Sequence, residues 1–287
     1  GPRRMHMKCS ACFGTTFNKF AVRADGMEIV QCSRCGLGVV AVLPDATAQF
    51  YVDGYYGSAS GIGYEDYGFM AEHGLGWAAA IVELISDGGR ILDIGCADGY
   101  LLEKFGPEFE KFGIEVNARA AEQARDKGVL ILGNDLFATS FVSEWASTFD
   151  VVTAIAVFEH LLDFRRGFEA AIRVLKDDGF LLFEVPLMSS RHSNAAWLKG
   201  SFEHIYYPTE ASIRHVVESV LGCRLVGSEV VIRGYGSTYV GLVTRSAARS
   251  AQLGEVLERL LNANFESGSK EEIVASIQLH LLHAAQS

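Results

Sequence analysis

The chain has 287 residues and a formal charge of −10, from 25 Lys and Arg against 35 Asp and Glu. With 49% hydrophobic and 21% charged residues and only five prolines, it has the composition of a chain that buries a core, not of a disordered one. The acidic balance disfavours a nucleic-acid partner, which calls for a basic stripe; no apolar run reaches the roughly 20 residues that span a bilayer or marks a secretory signal, so a cytoplasmic location is expected.

The first residues, Gly1-Pro2-Arg3-Arg4-Met5-His6-Met7, read as a cleavage remnant and are set aside. Residues 8–43 carry two pairs, Cys9-x-x-Cys12 and Cys32-x-x-Cys35, nineteen residues apart. CxxC pairs separated by about 15–20 residues are a zinc-site spacing, and the region is too small to fold on an apolar core alone. Four thiolates leave a tetrahedral ion no open position, so the expected role of the metal is structural.

Residues 44–76 are rich in Tyr and Gly and read as a linker. From Trp77 to Arg245 helices and strands alternate. Strands are expected at Arg90–Ile94, Phe112–Val116, Val129–Leu132, Phe149–Ile155, Gly179–Val185, Arg224–Ile232 and Tyr239–Arg245. Helices are expected at Ala78–Leu84, Tyr100–Phe105, Ala118–Lys127, Phe168–Leu175 and Ile213–Val220. Such alternation predicts an α/β fold, a mostly parallel sheet with helices on both faces. Residues 246–287 form a C-terminal helical tail: one helix with Leu253, Val256, Leu257, Leu260 and Leu261 on a face, another with Ile273, Val274, Ile277, Leu281 and Leu282. These faces suit packing on the sheet or a homodimer contact.

The central motif runs Asp93-Ile94-Gly95-Cys96-Ala97-Asp98-Gly99, where a strand enters a glycine turn and then a helix. Ligands of open parallel sheets bind at such strand ends, and Gly95 and Gly99 let a ligand lie against the backbone. The spacing is neither that of a dinucleotide fingerprint nor that of a P-loop, and no Lys follows to hold a phosphate. Asp93 suits a cationic group nearby. Glu115, about 20 residues on, can accept from both hydroxyls of a ribose. Asp135, after Asn134, can accept from an adenine amino group, with Leu136 against the ring. Each acid alone could be a solvated cap; three at successive strand ends point to a site. Cys96 reads as a small buried filler.

On these residues the stretch 77–245 resembles a class I S-adenosylmethionine (SAM) dependent methyltransferase. Asp93 to Gly99 is similar to the family's first motif, and Gly113-Ile114-Glu115-Val116-Asn117 to its second strand with the ribose acid. Phe149-Asp150-Val151-Val152 and Phe158-Glu159-His160-Leu161-Leu162-Asp163 resemble the segment that flanks the methyl group. Leu175 to Leu182 is similar to the turn into the fifth strand. The resemblance implies a Rossmann-like seven-stranded sheet with its last strand antiparallel. It implies SAM as cofactor, held by Asp93, Gly95, Cys96, Ala97, Gly99, Glu115, Val116, Asn134, Asp135, Leu136, Ala154 and Val157, with Tyr56 and Tyr67 from the linker.

The zinc start, the Tyr/Gly segment and this fold together resemble bacterial methyltransferases of sugar and natural-product pathways. The implied reaction is methylation of a small molecule, at a hydroxyl of a sugar or secondary metabolite. Members that methylate sugar carbon continue into a further large domain, which this sequence does not contain. Glu203-His204 resembles their active-site Glu-His segment, so His204 ranks first as general base, with Glu203 beside it and His160 second; a histidine near pKa 6.5 suits the task. Arg191, His192, Asn194, Trp197 and Lys199 crowd one loop that could meet an acceptor. Two alternatives stand: a methyltransferase of rRNA or protein docked through the zinc module, and a scaffold that keeps SAM as a structural ligand.

Overall fold

A computed structural model describes residues 7–45, 75–195, 197–232 and 236–262. Seven strands form the central sheet: β4 (Gly89–Ile94), β5 (Phe109–Ile114), β6 (Leu130–Gly133), β7 (Phe149–Ile155), β8 (Leu175–Pro186), β10 (Arg224–Ile232) and β11 (Gly236–Thr244). Their order across the sheet is β10-β11-β8-β7-β4-β5-β6. β4, β5, β6, β7 and β8 pair in parallel, while β11 runs antiparallel to both β8 and β10. This is the sheet the resemblance implied.

Successive side chains of a strand face opposite layers. On β8, Phe180 and Leu182 enter one core, and Leu181, Phe183 and Val185 the other. The first core is closed by α1 (Gly76–Ile85), α2 (Tyr100–Glu103) and α7 (Ala247–Asn262). The second is closed by α4 (Thr139–Glu144), α5 (Phe164–Arg173) and α6 (Glu210–Arg214), which continues as a π-helical turn over His215–Val220. α3 (Ala118–Asp126) links β5 to β6, with Asn117 Oδ1 accepting from the Ala120 amide at its start.

Several boundaries differ from the sequence reading. α5 starts at Phe164, four residues before the expected helix, because Asp163 caps it: its Oδ1 accepts from the Arg166 amide at 3.0 Å. β8 begins at Leu175, before the Asp177-Asp178-Gly179 turn read as its start, since Leu175 already pairs with Phe149 and an irregularity in the ladder follows. β5 ends at Ile114, so Glu115 is the first residue beyond the strand. α4 was not expected; its six residues bury only Phe141, too few for a readable period.

A second, four-stranded antiparallel sheet has the order β1-β2-β3-β9. β1 (Phe17–Val22), β2 (Glu28–Cys32) and β3 (Gly38–Val40) come from the cysteine region, but β9 (Tyr206–Tyr207) comes from the loop after β8. The N-terminal module is thereby stitched to the larger domain. Ser10 strengthens the seam, because its Oγ accepts from the amide of Phe164 at 2.9 Å at the start of α5. Of the two expected tail helices, α7 buries Leu253, Val256, Leu257 and Leu260 within the protomer, against the core that holds Trp77 and Ile81. The second, Ile273 to Leu282, lies outside the described residues, as do Tyr56 and Tyr67.

Candidate active site

The glycine turn after β4 takes three left-handed residues in five: Gly95 at φ 72°, Ala97 at φ 48° and Gly99 at φ 81°. A Cβ at Gly95 would lie 2.9 Å from Val157 Cγ2, so the segment after β7 closes directly over this turn. Glu115 fixes the turn from the neighbouring strand end. Its Oε2 accepts from the Ala97 amide and its Oε1 from the Asn117 amide, both at 2.8 Å. The non-glycine left-handed residue, Ala97, is therefore held by a charge-assisted hydrogen bond.

Asp93 and Glu115 are both buried. Thr153 Oγ1 on β7 donates to Asp93 Oδ1 at 2.6 Å. Burial, together with the nearby Glu115 charge and against the Thr153 hydrogen bond, pushes the Asp93 carboxyl up to about 7. Two carboxyls held in the interior at adjacent strand ends disfavour each other's charge, a cost that a nearby cation would relieve. Cys96 is buried over Gly113, where an added Cβ would sit 2.5 Å from its Sγ; burial raises the thiol, so it is not a thiolate.

The other expected contacts lie around this turn. Val116 and Val157 are half-buried, and Ala154 and Leu136 are buried. Asn134 and Asp135 are exposed, and Asp135 Oδ1 accepts from the Phe137 amide at 2.8 Å, shaping its own turn.

Beyond Val157, a 3-10 turn over Phe158–His160 carries Glu159 and His160 inward. The loop after β8 brings Glu203 and His204 to meet them, and all four are buried. The His160 and His204 rings stand edge to face with centroids 4.5 Å apart. Glu159 Oε1 is 3.5 Å from His160 Nε2. Burial holds His160 down at about 4 and His204 well below its ordinary range, the latter also through His160 and the Arg23 guanidinium. Both imidazoles are therefore neutral near pH 7. Burial and the neighbouring Glu184 and Glu203 raise Glu159 well above the carboxylate range.

Three participants went unread in the sequence. Glu159 stood inside a quoted motif, directly before His160, and that pairing was the available signal. Glu184 on β8 accepts from Thr238 Oγ1 through Oε1, while its buried Oε2 has no hydrogen-bond partner among the described residues. Arg23, at the end of β1, donates from Nη1 to the His204 carbonyl at 3.0 Å and to Tyr207 Oη at 3.2 Å. No motif flags it.

The four N-terminal cysteines converge, with their Sγ atoms within 4.8 Å of one another and all buried. Cys9 Sγ is 3.5 Å from Cys35 Sγ, and Cys12 Sγ is 3.5 Å from Cys32 Sγ. Disulfides need about 2.05 Å, whereas thiolates around one zinc ion at about 2.3 Å stand nearly 3.8 Å apart. The Gly14 amide points at Cys12 Sγ at 3.4 Å, as amides do toward a thiolate. The cluster fits a zinc module.

A family profile described as a methyltransferase domain matches residues 71–225, more than half of the chain. The chain belongs to this methyltransferase family. Its fold is found in solved structures of low identity. One is a SAM-dependent methyltransferase of Thermotoga maritima: 18% identity, covering 62% of this chain and 92% of that one, TM-score 0.49. Another comes from a complex between the Haloferax volcanii Trm112 methyltransferase activator and a methyltransferase: 16% identity, covering 62% and 91%, TM-score 0.50. A third is a SAM-dependent methyltransferase of Mesorhizobium loti: 14% identity, covering 60% and 99%, TM-score 0.47. A search of curated proteins finds no match. The matched region holds both the glycine turn and the Glu159/His204 cluster, so the chain is a SAM-dependent methyltransferase. Among the described residues no helix is long and apolar enough to cross a membrane.

Proposed function

We propose that the enzyme transfers the SAM methyl group to a hydroxyl of a small molecule, a sugar or secondary metabolite, and that zinc on Cys9, Cys12, Cys32 and Cys35 is structural. One observation carries the small-acceptor reading. The acid–base side chains Glu159, His160, Glu203 and His204 are each exposed by 7% or less. A residue on a macromolecular surface would have to thread into that interior, whereas a small molecule can be enclosed by it.

SAM supplies an activated methyl on a sulfonium, and the protein's part is alignment, desolvation and removal of the acceptor's proton. Asp93 would meet the ammonium end, Glu115 the ribose, and Leu136 the adenine. Val157 separates this end from the cluster that would hold the acceptor. The thiolate shell would hold β2 and β3, and through them β9 and the His204 loop. The net charge of −10 supports an acceptor other than nucleic acid.

The test is a panel of hydroxylated small molecules with isotopically labelled SAM, run beside rRNA and protein acceptors. Label on a small-molecule oxygen supports the reading. Label only on RNA or protein moves the enzyme to a macromolecular class with the zinc module as its docking surface. SAM binding without turnover on any acceptor favours a scaffold.

A further inference from the structure

The Trp197 indole decides how His204 can act. Trp197 Nε1 donates to His204 Nδ1 at 2.7 Å. Indole N–H is only a donor, so Nδ1 must carry a lone pair, and a neutral imidazole then carries its proton on Nε2. The indole is itself held in place: its ring lies 4.6 Å from that of fully buried Tyr207, and Tyr207 Oη accepts from Arg23. The loop leading to it is pinned to β10, where Glu229 takes Arg191 Nε at 3.0 Å.

A neutral His204 in this tautomer has no free lone pair. It can donate a hydrogen bond into the site but cannot accept a proton there. The same fact removes a metal reading. Glu159, His160 and His204 have ligand atoms within 4.8 Å of one another, yet the one lone pair that His204 keeps in this tautomer, on Nδ1, is taken by the Trp197 N–H. Proton acceptance then falls to another group of the cluster. Glu159 is wholly buried, and among the described residues neither of its oxygens has a hydrogen-bond partner. An unpartnered buried carboxyl is costly unless the site takes in what it bonds.

We propose that Trp197 is a positioning residue that locks His204 as the Nε2–H donor, and that Glu159 is the proton acceptor in methyl transfer. The second half rests on the hydroxyl-acceptor reading above. In the step, Glu159, which burial beside Glu184 and Glu203 keeps protonated in the free protein, first loses its proton to solvent as the positive charge of SAM binds, and the carboxylate so formed takes the proton of the acceptor O–H. The acceptor oxygen bonds the methyl carbon, and the C–S electron pair stays on sulfur, giving S-adenosylhomocysteine and a neutral methyl ether. His204 Nε2–H steadies the oxygen as its charge develops. Glu159 then releases the proton to solvent. The ionisable groups around it are His160, His204, Glu184 and Glu203, with Arg23 behind His204.

Nitrogen-15 NMR of histidine-labelled full-length protein, with zinc retained, reads the tautomer without any acceptor. The expected spectrum has His204 protonated on Nε2 alone at neutral pH, and Trp197→Phe converts it to a tautomer mixture. A proton on Nδ1 in the wild type, an unchanged tautomer in Trp197→Phe, or a second tightly bound metal per chain overturns the lock. With a hydroxyl acceptor in hand, Glu159→Gln should lower kcat by about 10²- to 10⁴-fold with SAM affinity kept. His204→Gln, which retains a donor, should cost about tenfold and keep the acid limb of the pH–rate profile, while Glu159→Gln removes that limb. The reverse pattern overturns the assignment of Glu159. Because the NMR result needs no acceptor, a failed hydroxyl screen leaves the tautomer lock separately decided.

Discussion

The guanidinium of Arg23 in the cysteine module donates from Nη1 to the backbone carbonyl of His204, 181 residues away, at 3.0 Å. Its side chain is 3% exposed, and its Nη2 pairs with Asp25 Oδ2 at 2.7 Å. One buried cation thus ties the N-terminal module to the acid–base cluster. Replacing it with Met keeps bulk and removes every donor, leaving the His204 carbonyl and Tyr207 hydroxyl without their partner. Arg23→Met is expected to cost about 1–3 kcal/mol of stability. It should lower kcat while leaving the SAM dissociation constant within about twofold, because the glycine turn is built from other residues. Chemical denaturation and titration calorimetry measure the two effects.

Zinc removal should reach the same loop by another route. One equivalent of zinc per chain is expected by elemental analysis, with none in a Cys12→Ser/Cys32→Ser variant. Chelation should speed amide exchange at Val39 and Val40, and at Ile205 to Tyr207, because β9 joins its sheet through β3 alone. Exchange on the β4–β5 ladder should stay slow. Equal protection at Tyr206 with and without metal would separate the module from the active site.

Glu115→Gln tests the glycine turn. The carboxylate now accepts from two backbone amides, Ala97 and Asn117. An amide side chain offers one acceptor oxygen and presents a donor to the other N–H. SAM affinity is expected to fall by about 2–3 kcal/mol, the scale of a lost charged hydrogen bond, or roughly 30- to 150-fold. Calorimetry with SAM reads this directly.

Asp93 makes binding pH-dependent with a definite sign. Its folded value of about 7 lies above the ordinary 3.8, so between those values the folded protein holds a proton that the unfolded chain releases. The free protein therefore loses stability as pH rises through that window. A bound cation reverses the preference and expels the proton. SAM affinity should drop up to about tenfold per pH unit below pH 7, with proton release visible as buffer-dependent binding heat. Asp93→Asn should remove both the pH slope and most of the affinity.

Cys96 and Gly113 form a packing pair across β4 and β5. With an added Cβ only 2.5 Å from Cys96 Sγ, Gly113→Ala is expected to cost about 1–3 kcal/mol. Cys96→Ala clears that space, so the double variant should recover most of the loss. Additive losses would show that the clash lies elsewhere.

Much of this architecture was legible in the sequence. The strands around Asp93, Glu115 and Val151 announce themselves as short apolar runs, the first two ending at a glycine or an acid, because a parallel strand buried on both faces has no polar alternation. The paired cysteines carry their own spacing rule. These signals are local, set by periodicity and by the few residues that a tight turn or a metal ion tolerates. What only the tertiary structure decided is long-range. Nothing near Tyr206 says that it will extend a sheet begun at Phe17, or near Arg23 that it will face His204. His204 reads in sequence as a base because histidine titrates near neutrality. In the folded protein burial keeps it neutral, and the Trp197 indole fixes which nitrogen holds the proton. Sequence determined which chemical groups the protein possesses; the packing of distant segments, by setting solvent access and hydrogen-bond partners, decided which of them can take a proton.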